Sequence, residues 1–176
     1  MKNDHLNIMR PFGLPESAST PVVTPLSASV VYASQSPDML DAQYTGELPG
    51  YTYAREGHPN ADALAARIDS LEDVRGGIIT GSGMAALTAA VMGVLQRGDH
   101  IIAGDQLYGR SMRLLQNDLS RFGIEVTFCN ATNAANIQNA LRANTKMVLV
   151  EAVSNPTLRV ADLSGLSSVL RPKNIL

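Results

Sequence analysis

Short apolar runs alternate regularly with longer amphipathic segments in the second half of the chain. The apolar runs lie at residues 77–80, 100–104, 124–129 and 146–153. The amphipathic segments lie at residues 82–96, 108–122, 133–143 and 161–170. Short strands that alternate with helices are typical of βαβ units. We therefore predict an α/β fold with a mostly parallel sheet and helices on both faces.

Residues 1–58 have a different character. They contain most of the nine prolines and no sustained hydrophobic period, which predicts an extended N-terminal arm. From Pro59 onward, Leu64, Ile68 and Leu71 recur at helical spacing, and this pattern predicts a helix over 59–73. The predicted organisation is an arm of residues 1–58 followed by a domain that occupies residues 59–176.

The composition excludes several classes of partner. The 176 residues carry 14 basic and 16 acidic side chains, a net charge of −2, so we expect neither nucleic acid nor an anionic membrane as partner. The N-terminal residues lack the apolar core of a signal peptide, and no apolar run reaches the roughly 18 residues of a spanning helix. We expect a cytoplasmic protein. Its single cysteine, Cys129, lies in an apolar run, which favours a buried structural thiol over a nucleophile.

The sequence GSGMAA, at residues 81–86, stands between a predicted strand and a predicted helix. Glycines at such turns are common for backbone reasons alone, but they also expose helix N-terminal amides that bind phosphate. The spacing of Gly81, Gly83 and Ala86 also matches the dinucleotide fingerprint, and Asp105 follows at roughly the 20-residue distance of a ribose-binding acid. An NAD-binding oxidoreductase domain is therefore an alternative, although about 75 residues precede the strand that leads into this turn, where such a domain usually begins.

Polar stretches at the ends of later strands favour a different ligand. DQLYGRS follows residue 104, and EAVSNPT covers residues 151–157. Ligands of open α/β sheets bind at the carboxyl ends of strands, so one crevice could collect the amides of Gly83 and Met84, the Tyr108 ring and the Asn155 amide. Helix amides hold phosphate, and an aromatic ring stacks on a flat ring. These groups suit pyridoxal phosphate better than a dinucleotide.

Four ordered motifs carry a resemblance to a known family: YTYAREGHPN, SGMAA, LYGRS and EAVSNPTLRVADL. Over about residues 25–170 the chain resembles the Cys/Met-metabolism family of pyridoxal-phosphate enzymes, the group of cystathionine γ-synthase, cystathionine γ-lyase and O-acetylhomoserine sulfhydrylase. The resemblance implies the first part of a fold type I, aminotransferase-like large domain. It also implies β- or γ-elimination or γ-replacement on cystathionine, O-acylhomoserine, cysteine or methionine in transsulfuration.

The resemblance assigns a role to the arm. Tyr53 and Arg55 match the family residues that reach the cofactor phosphate of a neighbouring subunit in a homodimer or homotetramer. An arginine fork suits phosphate, and the arm has no core of its own. His58 and Asn60 depart from the family, which more often carries Asn-Pro-Thr at these positions.

The resemblance also assigns roles around the glycine turn. The family's phosphate contacts match Ser82, Gly83 and Met84. Tyr108 matches the tyrosine that stacks on the pyridine ring and helps in proton transfer, and Asn155 matches the asparagine near the cofactor's phenolic oxygen. Without the resemblance, Tyr108 would be interpreted as packing and the Asn-Pro pair as a turn.

Two groups that the chemistry requires are not recognisable in the sequence. They are a lysine that forms a Schiff base with the cofactor and an acid that keeps its pyridine nitrogen protonated. The lysines are Lys2, Lys146 and Lys173, and we expect none of them at the ring. Pro172 interrupts a helix, so we expect the family pattern to stop near Leu170 and the chain to be a truncated, inactive form that binds pyridoxal phosphate weakly. A non-catalytic fragment that associates with a full-length homologue is a further alternative.

Overall fold

The computed structural model describes residues 17–176. The chain divides between Ile78 and Ile79 into two compact units. The expected division at residue 58 into an arm and a domain stays a prediction.

The first unit contains helices α1, Pro37–Tyr44, and α2, Pro59–Glu72. Each begins after a residue whose side chain accepts a backbone N–H of the first turn, Ser36 for α1 and His58 for α2. Each also has proline in its first turn, where the missing N–H of proline breaks no helical hydrogen bond. The helix predicted over 59–73 is confirmed.

Helix α1 lies inside the segment for which the sequence indicated only extended chain. Its eight residues bury no side chain, so no apolar period marks the helix in the sequence. Its signal is confined to the Ser36 cap, Pro37 and the acidic Asp38. Earlier in the chain, Val31 forms an antiparallel bridge with Tyr53.

The second unit, residues 79–176, contains both helices and strands. The helices are α3 (Gly83–Val94), α4 (Gly109–Arg113), α5 (Ala134–Ala140) and α6 (Leu163–Leu170). The strands are β1 (His100–Gly104), β2 (Glu125–Cys129) and β3 (Thr145–Leu149). After α4 the chain continues through a wide helical turn, Leu114–Asp118, and a tight one, Leu119–Phe122. A tight turn, Arg171–Lys173, follows α6.

The three strands form a parallel sheet in the order β2-β1-β3. Ile101 of β1 packs with apolar side chains of α3 and of the helical turns after α4. Its neighbour Ile102 points to the other face and packs with α5 and α6. The predicted α/β class, with a parallel sheet between two layers of helices, is confirmed.

The strand predicted at residues 77–80 is wrong. These residues pair with none of the three strands of the described chain, and Ile78 is 85% exposed. A strand requires a neighbour that satisfies its backbone hydrogen bonds. An apolar run alone does not supply one.

The helix predicted over 108–122 is only partly regular. Leu115 and Leu119 are buried as expected, but Phe122 is 59% exposed instead of sharing their face. The wide turn at Leu114–Asp118 changes the number of residues per turn. Phe122 is therefore rotated away from the buried face.

The last residue lies beside β3. The N–H of Leu176 donates to the carbonyl of Lys146 over 3.1 Å, and the N–H of Val148 donates to the carbonyl of Leu176 over 2.7 Å. These bonds have the alternating pattern of a parallel pair. Leu176 therefore extends the hydrogen bonding of the sheet past β3.

Candidate functional site

The carboxyl ends of the three strands open into one pocket. Its lining comes from residues 104–107 after β1, residues 130–132 after β2, and side chains after β3 that include Glu151 and Arg159. The Arg159 guanidinium lies 3.8 Å from Asp105 Oδ1. The polar segments after β1 and β3 thus meet at one edge of the sheet.

Two hydrogen bonds join the loop after β1 to the loop after β3. The N–H of Tyr108 donates to Glu151 Oε1 over 2.8 Å, and the Thr157 hydroxyl donates to Gln106 Oε1 over 2.9 Å. Tyr108 nevertheless stays 46% exposed. Its backbone is therefore held in place while its ring remains accessible to a ligand.

Asn155 lies in a tight turn next to the pocket. The N–H of Leu158 donates to the carbonyl of Ser154 over 2.9 Å, and the hydroxyls of Ser154 and Thr157 lie 3.0 Å apart. Ser154 is buried and lines the pocket, whereas Asn155 is exposed. The Asn155–Pro156 peptide bond is cis.

The N-terminus of α3 offers open backbone donors. The Ser82 hydroxyl oxygen accepts the N–H of Ala85 over 3.1 Å. Among the described residues, the N–H groups of Gly83 and Met84 have no acceptor, as expected in a first helical turn. A Cβ added to Gly83 would meet nothing within 4 Å, and its φ lies outside the left-handed region. The fold does not require glycine here, and the position of a side chain at residue 83 is open.

The chain path brings this helix end to the same edge of the sheet. Only residues 95–99 separate the end of α3 from β1, so the C-terminus of α3 adjoins the amino edge of the sheet. Helix α3 packs along the sheet through Val91, and a 12-residue helix, about 18 Å long, is slightly longer than a five-residue strand of about 16 Å. Gly83 and Met84 therefore lie toward the carboxyl edge, although neither lines the pocket itself.

Tyr53 and Arg55 belong to the first unit. The Arg55 guanidinium carbon lies 4.7 Å from the centroid of the Tyr53 ring, within cation–π distance. The Arg55 side chain is 77% exposed, and its Nε lies 3.5 Å from Glu56 Oε1. The arginine is thus stacked on a phenol ring but open to solvent.

The described lysines lie away from this edge. Lys146 is the second residue of β3, and Lys173 follows α6. Both line a separate pocket at the amino edge of the sheet, together with Thr145. Lys2 lies outside the described residues.

The chemistry of Cys129 follows from its position at the end of β2. Burial, and then the nearby Asp105 carboxylate, raise the pKa of the Cys129 thiol. The raised pKa keeps the sulfur protonated and weakly nucleophilic. Within residues 17–176, no cluster of three or more His, Cys, Asp or Glu side chains could hold a metal ion, and no helix could cross a membrane.

Sequence reasoning did not single out Glu151 or Gln106. Glu151 stood in the polar stretch EAVSNPT but was also included in the strand predicted over 146–153, and it was given no role; β3 ends at Leu149 and leaves Glu151 in the loop. An acid two residues past the end of a strand would have been a signal. Gln106 also follows its strand by two residues.

The family model described as "Cys/Met metabolism PLP-dependent enzyme" matches residues 13–176. The expectation that the family pattern stops near Leu170 is therefore wrong. The tight turn after α6 leads the chain back to β3, where Leu176 pairs with the strand.

The relatives are enzymes of sulfur amino acids. The chain is 34% identical over 145 residues to an L-methionine gamma-lyase of Fusobacterium nucleatum, a match that covers 82% of the chain and 37% of the relative. It is 35% identical over 131 residues to a cystathionine gamma-lyase of Bacillus subtilis, covering 74% of the chain and 34% of the relative.

A solved structure of a putative O-acetylhomoserine (thiol)-lyase from Campylobacter jejuni superimposes with a TM-score of 0.81 and 26% identity. The match covers 87% of the chain and 38% of that protein, which carries N'-pyridoxyl-lysine-5'-monophosphate. The chain thus spans little more than a third of the length of these relatives.

The fold of the chain is that of fold type I pyridoxal-phosphate enzymes, as the resemblance implied. Neither the family match nor these relatives support the NAD-binding alternative. The chain belongs to the Cys/Met metabolism family of pyridoxal-phosphate-dependent enzymes.

Proposed function

We propose that the chain supplies the phosphate- and ring-binding part of an enzyme that acts on sulfur amino acids by elimination or replacement at the β or γ carbon. Its substrates would be amino acids such as cystathionine, O-acylhomoserine, cysteine or methionine. The observation that carries the proposal is the hydrogen bond from Tyr108 to Glu151. It holds an accessible aromatic ring at the carboxyl edge toward which the open amides of α3 also lie.

The phosphate of the cofactor fits the start of α3. The N–H groups of Gly83 and Met84 would donate to phosphate oxygens, and the positive end of the helix favours the negative charge. Ser82 already accepts the Ala85 N–H through its oxygen. Its own O–H remains available as a donor, so the residue can cap the helix and bind phosphate at once.

The ring of the cofactor fits the loops after β1 and β3. Tyr108 would stack on the pyridine ring, and its phenol would help to move a proton. The Asn155 side-chain amide would donate to the ring's phenolic oxygen. When bound, pyridoxal phosphate supplies the electron sink for the reaction.

The 176 residues would hold the cofactor without a covalent bond. Lys146 and Lys173 lie at the amino edge of the sheet, and we propose no role for them at the ring. Binding through phosphate and stacking contacts alone should be weak, and the chain on its own should not turn over substrate.

The arm would complete the site of a neighbouring copy in a homodimer or homotetramer. Arg55 is exposed and stacked on Tyr53, which suits an arginine that awaits a phosphate from another chain. Helix α2 also exposes Leu64, Ile68 and Leu71, spaced along one apolar stripe. A cytoplasmic location is part of this proposal.

Calorimetric titration of the purified chain tests the proposal. Pyridoxal phosphate should bind saturably, pyridoxal should bind at least about tenfold more weakly because it lacks the phosphate, and NAD should not bind. Borohydride treatment should leave no stoichiometric pyridoxyl adduct by intact mass. Equal affinity for pyridoxal and pyridoxal phosphate, or binding of NAD instead, would contradict the proposal.

A further inference from the structure

Asn60 joins the start of α2 to a distant stretch of the arm. Its Nδ2 donates to the carbonyl of Ser27 over 2.9 Å, and its Oδ1 accepts the N–H of Ser27 over 3.0 Å. One side-chain amide thereby pairs with both backbone groups of a residue 33 positions earlier. Asn60 is half-buried, so the pair is partly shielded from water.

His58 makes a second connection between the same two segments. Its Nδ1 accepts the N–H of Asn60 over 3.2 Å, which caps α2, and its Nε2 lies 3.2 Å from the carbonyl of Ser29. A ring that accepts at Nδ1 must carry its proton at Nε2 to bond a carbonyl. The imidazole therefore donates to Ser29 while it caps the helix. We call these two side chains, His58 and Asn60, the arm clasp.

The clasped segment in turn holds the backbone of Tyr53. The N–H of Tyr32 donates to the carbonyl of Thr52 over 3.0 Å, and the N–H of Ala54 donates to the carbonyl of Val30 over 2.9 Å. Directly after this bridge, the N–H of Glu56 donates to the carbonyl of Tyr53 over 2.9 Å. Arg55 thus lies in a hydrogen-bonded turn, and the residues just before it are held by backbone hydrogen bonds to residues 30–32.

We propose that His58 and Asn60 are positioning residues that fix the turn of Tyr53 and Arg55 for phosphate binding. The inference rests on the proposed function, which assigns Arg55 to phosphate. Arginine loses much side-chain freedom when it binds, so a backbone already fixed lowers the cost of ordering it. Neither clasp residue is among the proposed phosphate contacts. The clasp uses the two positions at which this chain departs from the family's Asn-Pro-Thr pattern.

Two conservative substitutions break the clasp while they preserve α2. His58→Asn keeps a good N-cap but is too short to reach Ser29. Asn60→Asp keeps an acceptor for the Ser27 N–H, loses the donor to the Ser27 carbonyl, and places a negative charge where a helix N-terminus favours it. Asp62→Asn is the matched control, because Asp62 accepts from the Tyr51 hydroxyl and makes no bond to residues 27–32.

The test combines hydrogen exchange with titration of pyridoxal phosphate into the full chain. In the double variant, the Tyr32 and Ala54 amides should exchange about fivefold faster and pyridoxal phosphate should bind about fivefold more weakly, with the melting temperature within about 2 °C. The control should behave as the unaltered chain does. In an Arg55→Ala background, the clasp substitutions should weaken binding no further.

The outcomes separate the clasp from the role of Arg55. If Arg55→Ala weakens binding but the double variant binds as the unaltered chain does, the clasp inference is overturned and the proposed function stands. If Arg55→Ala leaves binding unchanged, the role of Arg55 and the clasp inference both fall. Weakening by the clasp substitutions that persists in the Arg55→Ala background would show a general structural role and would also overturn the inference.

Discussion

The N–H of Tyr108 donates to Glu151 Oε1 over 2.8 Å, a bond that connects residues 43 positions apart in the chain. It fixes the backbone of the proposed stacking residue from the neighbouring strand's loop. The position of the Tyr108 backbone therefore depends on a carboxylate in the loop after β3.

Substitution of Glu151 tests this dependence. Glu151→Ala removes the acceptor that holds the Tyr108 backbone, which should loosen this loop and weaken pyridoxal phosphate binding roughly tenfold. Glu151→Gln keeps an acceptor oxygen and should stay within about threefold. Glu125→Ala, an acid at the amino edge, serves as the control in the same calorimetric titration. Equal affinities for all three variants would show that the bond does not support the site.

Cys129 should react slowly with iodoacetamide. Burial and the Asp105 carboxylate raise the pKa of its thiol, so the thiolate fraction at pH 8 should be below that of a free cysteine. Mass spectrometry of the folded chain should therefore show slower alkylation than in urea. Cys129→Ala should leave pyridoxal phosphate binding unchanged. Loss of binding in that variant would argue for a role in the site.

His100 should make stability depend on pH. It is fully buried, and its ring nitrogens lie 2.8 Å from Thr145 Oγ1 and 2.9 Å from Thr127 Oγ1. Burial, and then the charge of Arg142, lower the pKa of His100, while Glu125 opposes the shift.

The direction of this pH dependence follows from the fact that the unfolded chain binds a proton at His100 more readily than the folded chain does. The pKa of His100 in the folded chain lies below the usual 6.5. The contribution of neutral His100 to the free energy of unfolding is therefore fully present above about pH 6.5 and is lost as the pH falls toward the folded pKa. Urea unfolding at pH 7.5 and 5.5 should show a larger loss for the unaltered chain than for His100→Gln. Equal losses would mean that His100 does not drive the dependence.

The apolar stripe of α2 should promote self-association. Leu64 and Ile68 are each nearly half exposed, and Leu71 is 80% exposed. Ile68→Gln should raise the dissociation constant of the oligomer at least about tenfold, because it removes apolar area that association would bury. Glu72→Gln on the same helix is the control, and sedimentation measures both. An unchanged dissociation constant in Ile68→Gln would show that the copies associate through a surface other than the α2 stripe.

Local signals predicted the elements that position the site. The strand predicted at residues 100–104 has those bounds in the structure, because a fully buried strand forms a nearly continuous apolar run. Ser82 marked the start of α3, because capping depends on residues close in sequence.

Features that depend on distant partners could not be predicted in this way. The run at 77–80 has strand composition but pairs with none of the three strands, and composition does not reveal a partner. The bonds of Asn60 to Ser27 and of Tyr108 to Glu151 span 33 and 43 residues, and no spacing rule connects such positions. Helix α1 was missed for a different reason, since it buries no side chain and shows no hydrophobic period.

The most direct test of the account compares two substitutions at Gly83. Proline is favoured in the first turn of a helix, and the extended backbone of Ser82 suits a following proline. Gly83→Pro thus removes one proposed phosphate donor at little cost to α3, whereas Gly83→Ala keeps the N–H and adds a methyl group to open space. In calorimetric titration, Gly83→Pro should weaken pyridoxal phosphate binding about tenfold and leave pyridoxal binding unchanged. Gly83→Ala should bind pyridoxal phosphate about as tightly as the unaltered chain does. Equal binding of pyridoxal phosphate by the proline and alanine variants would contradict a phosphate site at the start of α3.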